Sequence, residues 1–213
     1  MTGAEGAASE QYFAERPRSA SHRRELRFLY RGDILSFATD RGVFATAGLD
    51  PGTALLIENM TVGASESVLD LGCGWGAIGT AAARAASAGH VVLTDVNRRA
   101  VLLARANLRR NEIANAEARP GPLYRPVEGE RFDLIASNPP YHAGRPMILE
   151  ILSGAPEHLT PGGRLLLVGK GSQGILFYQH WLEERWAGGV EVLARGSGYR
   201  VLEARPAPTT RHR

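Results

Sequence analysis

Short apolar runs alternate with longer segments of helical periodicity from Ser67 onward. The runs are apolar along nearly their whole length, which is typical of strands buried on both faces. Such strands, separated by helices, predict a parallel sheet with helices on both sides. The strand-like runs are SVLDL (67–71), HVVLTD (90–95), RFDLIAS (131–137), GRLLLVG (163–169), VEVLAR (190–195) and GYRVLEA (198–204), with a weaker run near 116–119. The helical segments between them are AIGTAAARAAS, RRAVLLARANLRRN, RPMILEILSGAPEHL and GILFYQHWLEERW.

The last two strand-like runs are joined only by Gly196 and Ser197. A parallel crossover needs about a dozen residues or more, so these two strands must pair as an antiparallel hairpin. The pattern therefore predicts an α/β fold with a mostly parallel, Rossmann-like sheet that ends in an antiparallel hairpin. An ordinary dinucleotide-binding sheet does not end in this way.

A second hairpin and a helix precede this alternation. Residues 26–30 alternate in polarity, a turn is predicted at 31–33, and residues 34–39 run back as a second strand. DPGTALLIENM then predicts a helix, because Asp50 can cap free N–H groups and Pro51 suits the first helical position. We expect a mobile arm (1–20), a single domain (21–206) made of an appendage (21–64) and a core (65–206), and a flexible tail (207–213).

Composition supports one domain and adds two expectations. The chain has 213 residues, of which 44% are hydrophobic, enough to bury one sizeable core. No apolar run approaches the roughly 18 residues that a membrane-spanning helix needs, so we expect a cytoplasmic protein. Cys73 is the single cysteine and has no Cys or His partners at metal-ligand spacing, so we expect neither an internal disulfide nor a metal site.

The charge is carried mainly by arginine. Net charge is +3, and all but one of the 25 basic residues are arginine. Arginine suits phosphate contacts, and a GC-rich genome produces the same bias. A basic appendage attracts a phosphate backbone, so we hypothesise RNA binding by the cluster before the core, whereas the helical cluster is more typical of a solvated face. The clusters are Arg23, Arg24, Arg27 and Arg31 before the core, Arg98 and Arg99, Arg105, Arg109 and Arg110 along a helix, and Arg211–Arg213 in the tail.

A glycine-rich loop follows the first core strand in VLDLGCGWGAIG. Glycine lets the backbone turn sharply and approach a ligand closely, beside the free N–H groups of a helix N-terminus. Asp95 lies at the carboxyl edge of the next strand, where it can accept hydrogen bonds from a ribose diol. GWGAIG also fits GxGxxG, so these residues alone are compatible with NAD. Asp70, inside the first strand, needs a cationic or N–H partner when charged, and an amino group on a cofactor is one such partner.

VLDLGCGWG, the pair Thr94 and Asp95, SNPPY and the C-terminal hairpin together resemble a class I S-adenosylmethionine-dependent methyltransferase. More closely, the chain from about residue 12 to 206 is similar to the small-domain methyltransferases related to ribosomal RNA guanine-N2 methyltransferases. The resemblance implies a seven-stranded sheet with the hairpin strand inserted at one edge. It also implies that loop 72–76 cradles the methionine part of the cofactor and that Asp95 holds the ribose. The predicted cofactor-binding residues are Asp70, Gly72, Cys73, Gly74, Gly76, Asp95, Val96 and Asn138.

The predicted catalytic residues are Asn138, Pro139, Pro140 and Tyr141, which end an apolar strand. An exocyclic amine is a poor nucleophile because its lone pair is delocalised. The Asn138 side-chain oxygen and the Pro139 carbonyl can accept its hydrogens and direct the lone pair at a methyl donor. The prolines restrict the loop, and Tyr141 offers a flat face on which a base can stack.

Several alternatives remain open at this level. NPPY fits guanine-N2 transfer in structured RNA, including ribosomal RNA, but also adenine-N6 transfer and glutamine-N5 transfer in a protein; a noncatalytic nucleotide- or RNA-binding module is a further alternative. His142 is either a substrate contact or a solvated loop residue, and Arg145 meets either a phosphate or water. Two features depart from the family: Gly121 and Pro122 stand where relatives carry an acidic residue, and the bacterial ribosomal enzymes have an additional N-terminal domain.

Overall fold

The computed structural model of the protein describes residues 24–40 and 48–207. Outside these residues lie the expected N-terminal arm, Arg23 and the expected tail except for its first residue. The arginines at Arg211–Arg213 belong to that part of the tail. No helix in the described ranges is long and apolar enough to cross a membrane.

A seven-stranded sheet forms the centre of the described part of the chain, with the strand order β5-β4-β3-β6-β7-β9-β8. Neighbouring strands from β5 to β7 pair in parallel, and β9 pairs antiparallel with both β7 and β8. This topology confirms the predicted fold, including the weakly signalled strand after residue 115. The strands are β3 (Ser67–Leu71), β4 (His90–Asp95), β5 (Ala116–Pro120), β6 (Phe132–Ser137), β7 (Leu159–Lys170), β8 (Val190–Gly196) and β9 (Tyr199–Ala204).

The C-terminal hairpin turns one residue later than the sequence predicts. Gly196 pairs with Tyr199, so the two turn residues are Ser197 and Gly198. Both have positive φ angles, 50° and 80°, as a tight two-residue turn between antiparallel strands requires. Glycine adopts such a φ without steric cost, so Gly198 takes the second turn position.

Helices cover both faces of the sheet, as predicted. Successive residues of a buried strand point to opposite faces, and Val68 and Leu69 accordingly belong to two different hydrophobic clusters. The first cluster includes residues of α1, α2 and α3, and the second includes residues of α4 and α5. The helices are α1 (Pro51–Asn59), α2 (Ala77–Ala85), α3 (Arg98–Arg110), α4 (Arg145–Gly154) and α5 (Ile175–Arg185).

The segment RPMILEILSGAPEHL is not one continuous helix. Helix α4 ends at Gly154, a short 3-10 turn covers Ala155–His158, and β7 already begins at Leu159. Pro156 lacks the N–H group that would continue the helical hydrogen bonds, which accounts for the change.

The N-terminal hairpin consists of β1 (Arg24–Tyr30) and β2 (Asp33–Thr39), as predicted. It docks on α3 through two buried asparagine amides that replace a strand partner. Asn107 accepts from the Ala38 N–H at 2.7 Å and donates to the Ala38 carbonyl at 2.9 Å. Asn111 makes the same pair of bonds with Ser36, both at 2.8 Å. These contacts attach β2 to α3.

We expect Asn107→Ala to lower the free energy of unfolding by about 2–4 kcal/mol, measured by urea denaturation. The amide is fully buried and also donates to the Trp75 carbonyl at 2.8 Å, so its removal leaves buried backbone groups without partners. Arg109→Ala, an exposed change on the same helix, is the control and should stay within about 0.5 kcal/mol of the parent. Equal stability of the two variants would contradict this account of the docking.

Candidate active site

A cavity of about 370 Å³ opens at the carboxyl edge of the parallel strands. It is lined by the loops after β3, β4 and β6, because parallel strands end at the same edge of a sheet. Three segments that are far apart in the chain, around residues 73, 96 and 139, therefore meet there. Of the predicted site residues, the cavity is lined by Gly72, Cys73, Gly74, Asp95, Val96, Asn138, Pro139, Pro140 and Tyr141.

The first two glycines of the loop leave room for a ligand. Gly72 and Gly74 have φ angles of 77° and 54°, and a Cβ atom built on either would meet no atom within 4 Å. The loop is held from behind, because the N–H groups of Gly72 and Cys73 both donate to the Thr94 carbonyl at 2.9 Å. A ligand in the cavity can thus approach the bare backbone of a fixed loop.

The next two glycines serve packing. A Cβ atom on Gly76 would lie 3.1 Å from side-chain carbons of Ala104 and Leu93, and one on Gly79 would overlap Leu93. These glycines let α2 approach β4 and α3 closely. Gly76 is a predicted cofactor residue that does not line the cavity, and it begins α2 as its left-handed N-cap. The GxGxxG motif, GWGAIG, combines one cavity position, Gly74, with two packing positions, Gly76 and Gly79, because spacing cannot separate them.

Asp95 joins the glycine loop to the start of α3. Its Oδ2 accepts from the Gly74 N–H at 2.9 Å and its Oδ1 accepts from the Asn97 N–H at 2.8 Å. Burial raises the pKa of Asp95, and the two N–H donors oppose that rise. Each carboxylate oxygen has a further lone pair, so the residue can still accept hydrogen bonds from two hydroxyl groups in the cavity.

Asp70 is fully buried behind the loop and does not line the cavity. Its Oδ2 accepts from the Gly79 N–H in the first turn of α2 at 2.7 Å, which provides the N–H partner that the sequence demanded. Its Oδ1 is buried and has no hydrogen-bond partner among the residues that the structure describes. Burial raises the pKa of Asp70 to about 7, opposed by the Gly79 N–H and reinforced by the charge of Asp95.

We expect Asp70→Asn to remove a pH-dependent part of the stability. A folded-state pKa of about 7 lies above the unfolded value, so the native protein holds this proton more tightly. The resulting stabilisation is full below the unfolded pKa and is lost progressively as the pH rises to the folded pKa of about 7. Between pH 5.5 and 7.5 the parent should lose about 2 kcal/mol more of its unfolding free energy than the variant. Asp33→Asn, at an exposed position, should keep the pH dependence of the parent. Parallel curves for Asp70→Asn and the parent would contradict the assignment.

Asn138 is held by residues of the N-terminal appendage. Its Nδ2 donates to Asp50 Oδ2 at 3.0 Å and to Thr53 Oγ1 at 2.9 Å. Both partners lie at the start of α1, and Asp50 also caps that helix by accepting from the Thr53 N–H at 3.0 Å. With its NH₂ group held there, the amide has its oxygen on the opposite edge of the amide plane.

The residues after Asn138 form a tight turn. The Pro139 carbonyl accepts from the Tyr141 N–H at 2.9 Å and keeps a second lone pair. The Tyr141 hydroxyl donates to the Val168 carbonyl at 2.8 Å, and its ring centroid lies 5.9 Å from that of Tyr178. Tyr141 is therefore anchored at its hydroxyl end beside the cavity. Stacking of a base on its face stays a prediction.

The other residues considered from sequence have simpler environments. Burial raises the pKa of the Cys73 thiol well above its usual value, which favours a packing role over a nucleophilic one. His142 is exposed and lines the cavity. The Arg145 guanidinium carbon lies 4.3 Å from the centroid of the Phe177 ring, an arrangement typical of a cation–π contact. Gly121, Pro122 and Leu123 also line the cavity.

Sequence reasoning missed the partners of Asn138. Asp50 was recognised as a helix cap, and nothing in the local pattern indicates that the same carboxylate contacts a residue 88 positions away. The sequence pattern gave no indication that Thr53 or Tyr199 belongs to the site. The Tyr199 hydroxyl donates to Asp50 Oδ1 at 2.9 Å. Among the described residues there is no group of three or more His, Cys, Asp or Glu that could hold a metal ion.

The antiparallel strand β9, inserted between β7 and β8, distinguishes this sheet from a dinucleotide-binding one. Together with the glycine loop and Asp95 at the carboxyl edge, it defines a class I methyltransferase fold. The chain belongs to the methyltransferase small domain family, whose sequence model matches residues 34–203.

Relatives agree with this assignment. An uncharacterised protein of Bacillus subtilis, YbxB, is 33% identical over 199 residues, which cover 92% of this chain and 98% of that protein. The ribosomal RNA small subunit methyltransferase C of Hamiltonella defensa is 40% identical over 179 residues, 82% of this chain and 52% of that protein. A Thermus thermophilus 16S rRNA N2 methyltransferase, RsmC, in complex with AdoMet and guanosine, superposes with a TM-score of 0.77 at 30% identity, covering 89% of this chain and 52% of that one. The chain thus spans about half the length of the two named methyltransferases.

Proposed function

We propose that the protein is an S-adenosylmethionine-dependent N-methyltransferase that modifies the exocyclic N2 amine of guanine in ribosomal or other structured RNA. The observation that carries the proposal is the Asn138 amide, held by its NH₂ group at 2.9 and 3.0 Å beside a glycine-lined cavity. In this proposal residues 21–64 are an appendage that completes the site of a core formed by residues 65–206.

The cavity residues fit the proposed cofactor. Gly72 and Gly74 present bare backbone, and Asp95 has lone pairs left for the ribose hydroxyls. The unpartnered Oδ1 of Asp70 is an acceptor close behind the loop, which a buried water can link to an amino group in the cavity. S-adenosylmethionine supplies an electrophilic methyl group on a positively charged sulfur. Since Asp70 and Gly76 do not line the cavity, their contribution is to hold the loop rather than to touch the cofactor.

The chemical task of the chain is to orient a weak nucleophile. Two acceptors, Asn138 Oδ1 and the Pro139 carbonyl, take the two N–H groups of the amine and favour a tetrahedral nitrogen whose lone pair faces the methyl group. Delocalisation of the lone pair into the ring is lost at that point, and the acceptors stabilise the positive charge that develops on nitrogen. The N–C bond forms as the bond between sulfur and the methyl carbon breaks, which moves the positive charge to nitrogen. The nitrogen proton becomes acidic only then and passes to water, so no strong base is needed before transfer.

An RNA substrate is supported by the relatives and by the surface beside the cavity. The names of the two methyltransferase relatives specify ribosomal RNA, and the structural relative contains guanosine. A run of aromatic rings leads from Tyr141 through Tyr178 to the exposed Phe177, with centroid separations of 5.9 and 5.3 Å. Arg145 covers Phe177 at the end of this run. Neighbouring rings in this run meet tilted or edge-on, and Tyr178 is buried. The exposed Phe177 and the Arg145 guanidinium are therefore the groups that suit an unpaired base and its phosphate.

The positive charge of the arginine cluster before the core is partly neutralised by Glu25. Arg27 and Arg110 both contact Glu25, at 3.0 and 3.3 Å, and the cluster is therefore less basic than the sequence indicates. Arg24 and Arg31 are exposed and keep the hypothesis of a phosphate-binding appendage open. A ribosomal RNA substrate also implies that the protein works in the cytoplasm.

The test is incubation of the protein with methyl-labelled S-adenosylmethionine and separate RNA, DNA and protein fractions, followed by nucleoside and amino-acid analysis. We expect label in N2-methylguanosine from the RNA fraction, with RNA affinity that falls as salt rises. Label in 6-methyladenosine or in methylglutamine would replace the substrate assignment, since NPPY also fits those amines. Calorimetric binding of NADH without binding of S-adenosylmethionine would overturn the enzyme class.

A further inference from the structure

We propose that Asp50 is a positioning residue for methyl transfer, which decides the direction in which the Asn138 amide faces. The inference rests on the proposed function, since it concerns how the amine acceptor is set. It extends the active site to the N-terminal appendage and the C-terminal hairpin, two parts of the chain that the glycine loop and NPPY motif do not include.

Asp50 lies at the centre of a network of donors. Its Oδ2 accepts from Asn138 Nδ2 and from the Thr53 N–H, both at 3.0 Å, and from Thr53 Oγ1 at 3.4 Å. Its Oδ1 accepts from the Tyr199 hydroxyl at 2.9 Å. The carboxylate is therefore held on both oxygens, by α1 on one side and by the first residue of β9 on the other.

The charge of Asp50 determines the orientation of the Asn138 amide. A carboxylate only accepts hydrogen bonds, so the edge of the amide that faces Asp50 must be the NH₂ edge. Thr53 Oγ1 would not decide this by itself, because a hydroxyl can donate or accept and would suit either edge. With the NH₂ group facing Asp50, Asn138 Oδ1 lies on the other edge, as an acceptor of the substrate amine requires.

The same contact strengthens the acceptor. A negative group that accepts from an amide N–H polarises the amide and increases the negative partial charge on its oxygen. Positive charge develops on the substrate nitrogen during transfer, so this polarisation favours the transition state more than the ground state. Asp50 acts through Asn138 and has no assigned contact with the substrate.

A purely structural role as the cap of α1 is the competing explanation, and the Asp50→Asn substitution separates the two. Asparagine is as good an N-cap as aspartate, so this variant keeps the cap but loses the obligatory acceptor. We expect kcat to fall roughly 10- to 100-fold because the amide can now face either way. The cofactor dissociation constant, the substrate KM and the melting temperature should stay close to those of the parent.

The experiment compares Asp50→Asn and Asp50→Ser with Glu58→Gln, which removes an exposed carboxylate from the same helix. Serine also caps a helix but is too short to replace the contact with Asn138, so it serves if the asparagine variant folds poorly. The substitutions are repeated in an Asn138→Ala background, where loss of Asp50 should have no further effect on kcat. Only the combination of a lower kcat in the parent background and no further effect in the Asn138→Ala background supports the proposal.

Each other outcome is decisive. Parent-like kcat in Asp50→Asn, with Asn138→Ala inactive, overturns the positioning role and leaves the proposed function intact. An equal further loss in both backgrounds also overturns it, because Asp50 would then act independently of Asn138. Parent-like kcat in Asn138→Ala shows that other groups orient the amine and overturns the inference, whereas absence of methyl transfer by the parent overturns the proposed function.

Discussion

Alanine at position 138 is expected to lower kcat by about 10²–10³-fold, the loss seen when one preorganised polar group is removed from a transition state. The dissociation constant of S-adenosylmethionine should change by less than about threefold, because the loop around Gly74 is held by Thr94 and Asp95 independently of Asn138. Single-turnover transfer to RNA and calorimetric titration of the cofactor measure the two effects separately.

Asn59→Ala is a suitable control for that substitution. Asn59 lies at the end of α1, and its side chain donates within the helix, to the Leu55 carbonyl at 2.8 Å. Its replacement removes an amide of the same size from the same region and should leave kcat within about twofold of the parent. Retention of more than a third of the activity by Asn138→Ala would show that the amine is oriented by other groups.

The second large effect is expected for Asp95→Asn, which should weaken S-adenosylmethionine binding by about 100-fold, equivalent to roughly 3 kcal/mol. Asp95 accepts from two backbone N–H groups, at 2.8 and 2.9 Å, one on each oxygen. An asparagine at this position can accept only through its single oxygen, so one N–H loses its partner and one ribose hydroxyl loses its acceptor.

The readout for Asp95 is the split between binding and turnover. The cofactor dissociation constant should rise, while kcat at saturating cofactor should fall much less, because Asp95 contacts neither the amine nor Asn138. Asp33→Asn, an exposed change remote from the loop, should bind the cofactor like the parent. Unchanged affinity in Asp95→Asn would remove the ribose assignment.

Much of the fold was predictable because its determinants are local. A strand buried on both faces must be apolar along its length, and a linker of two residues permits only an antiparallel hairpin. The parallel arrangement then predicts that the strand ends meet at one edge of the sheet. For this reason the loop with Gly72 and Gly74, the acidic residue Asp95 and the NPPY segment could be placed at one cavity from the order of the elements alone.

Other roles could not be read from the chain. Gly74 and Gly76 look alike in sequence, yet the first lines the cavity and the second packs against Ala104. Asn107 sits in an arginine-rich helix whose pattern indicates only an amphipathic face, but its amide is bonded to a strand 69 positions earlier. Local pattern is uninformative at such positions because the partner is distant in sequence.

The sequence by itself determined the order and type of the main elements, the glycine loop and the chemistry available at Asn138, since these follow from periodicity, turn geometry and side-chain type. Only the tertiary structure decided which way the Asn138 amide is held and which glycines face the cavity. Those properties depend on contacts with Asp50, Thr53 and Ala104. A hydrogen bond or a close packing contact exists only once folding has brought the two contacting residues within reach of each other.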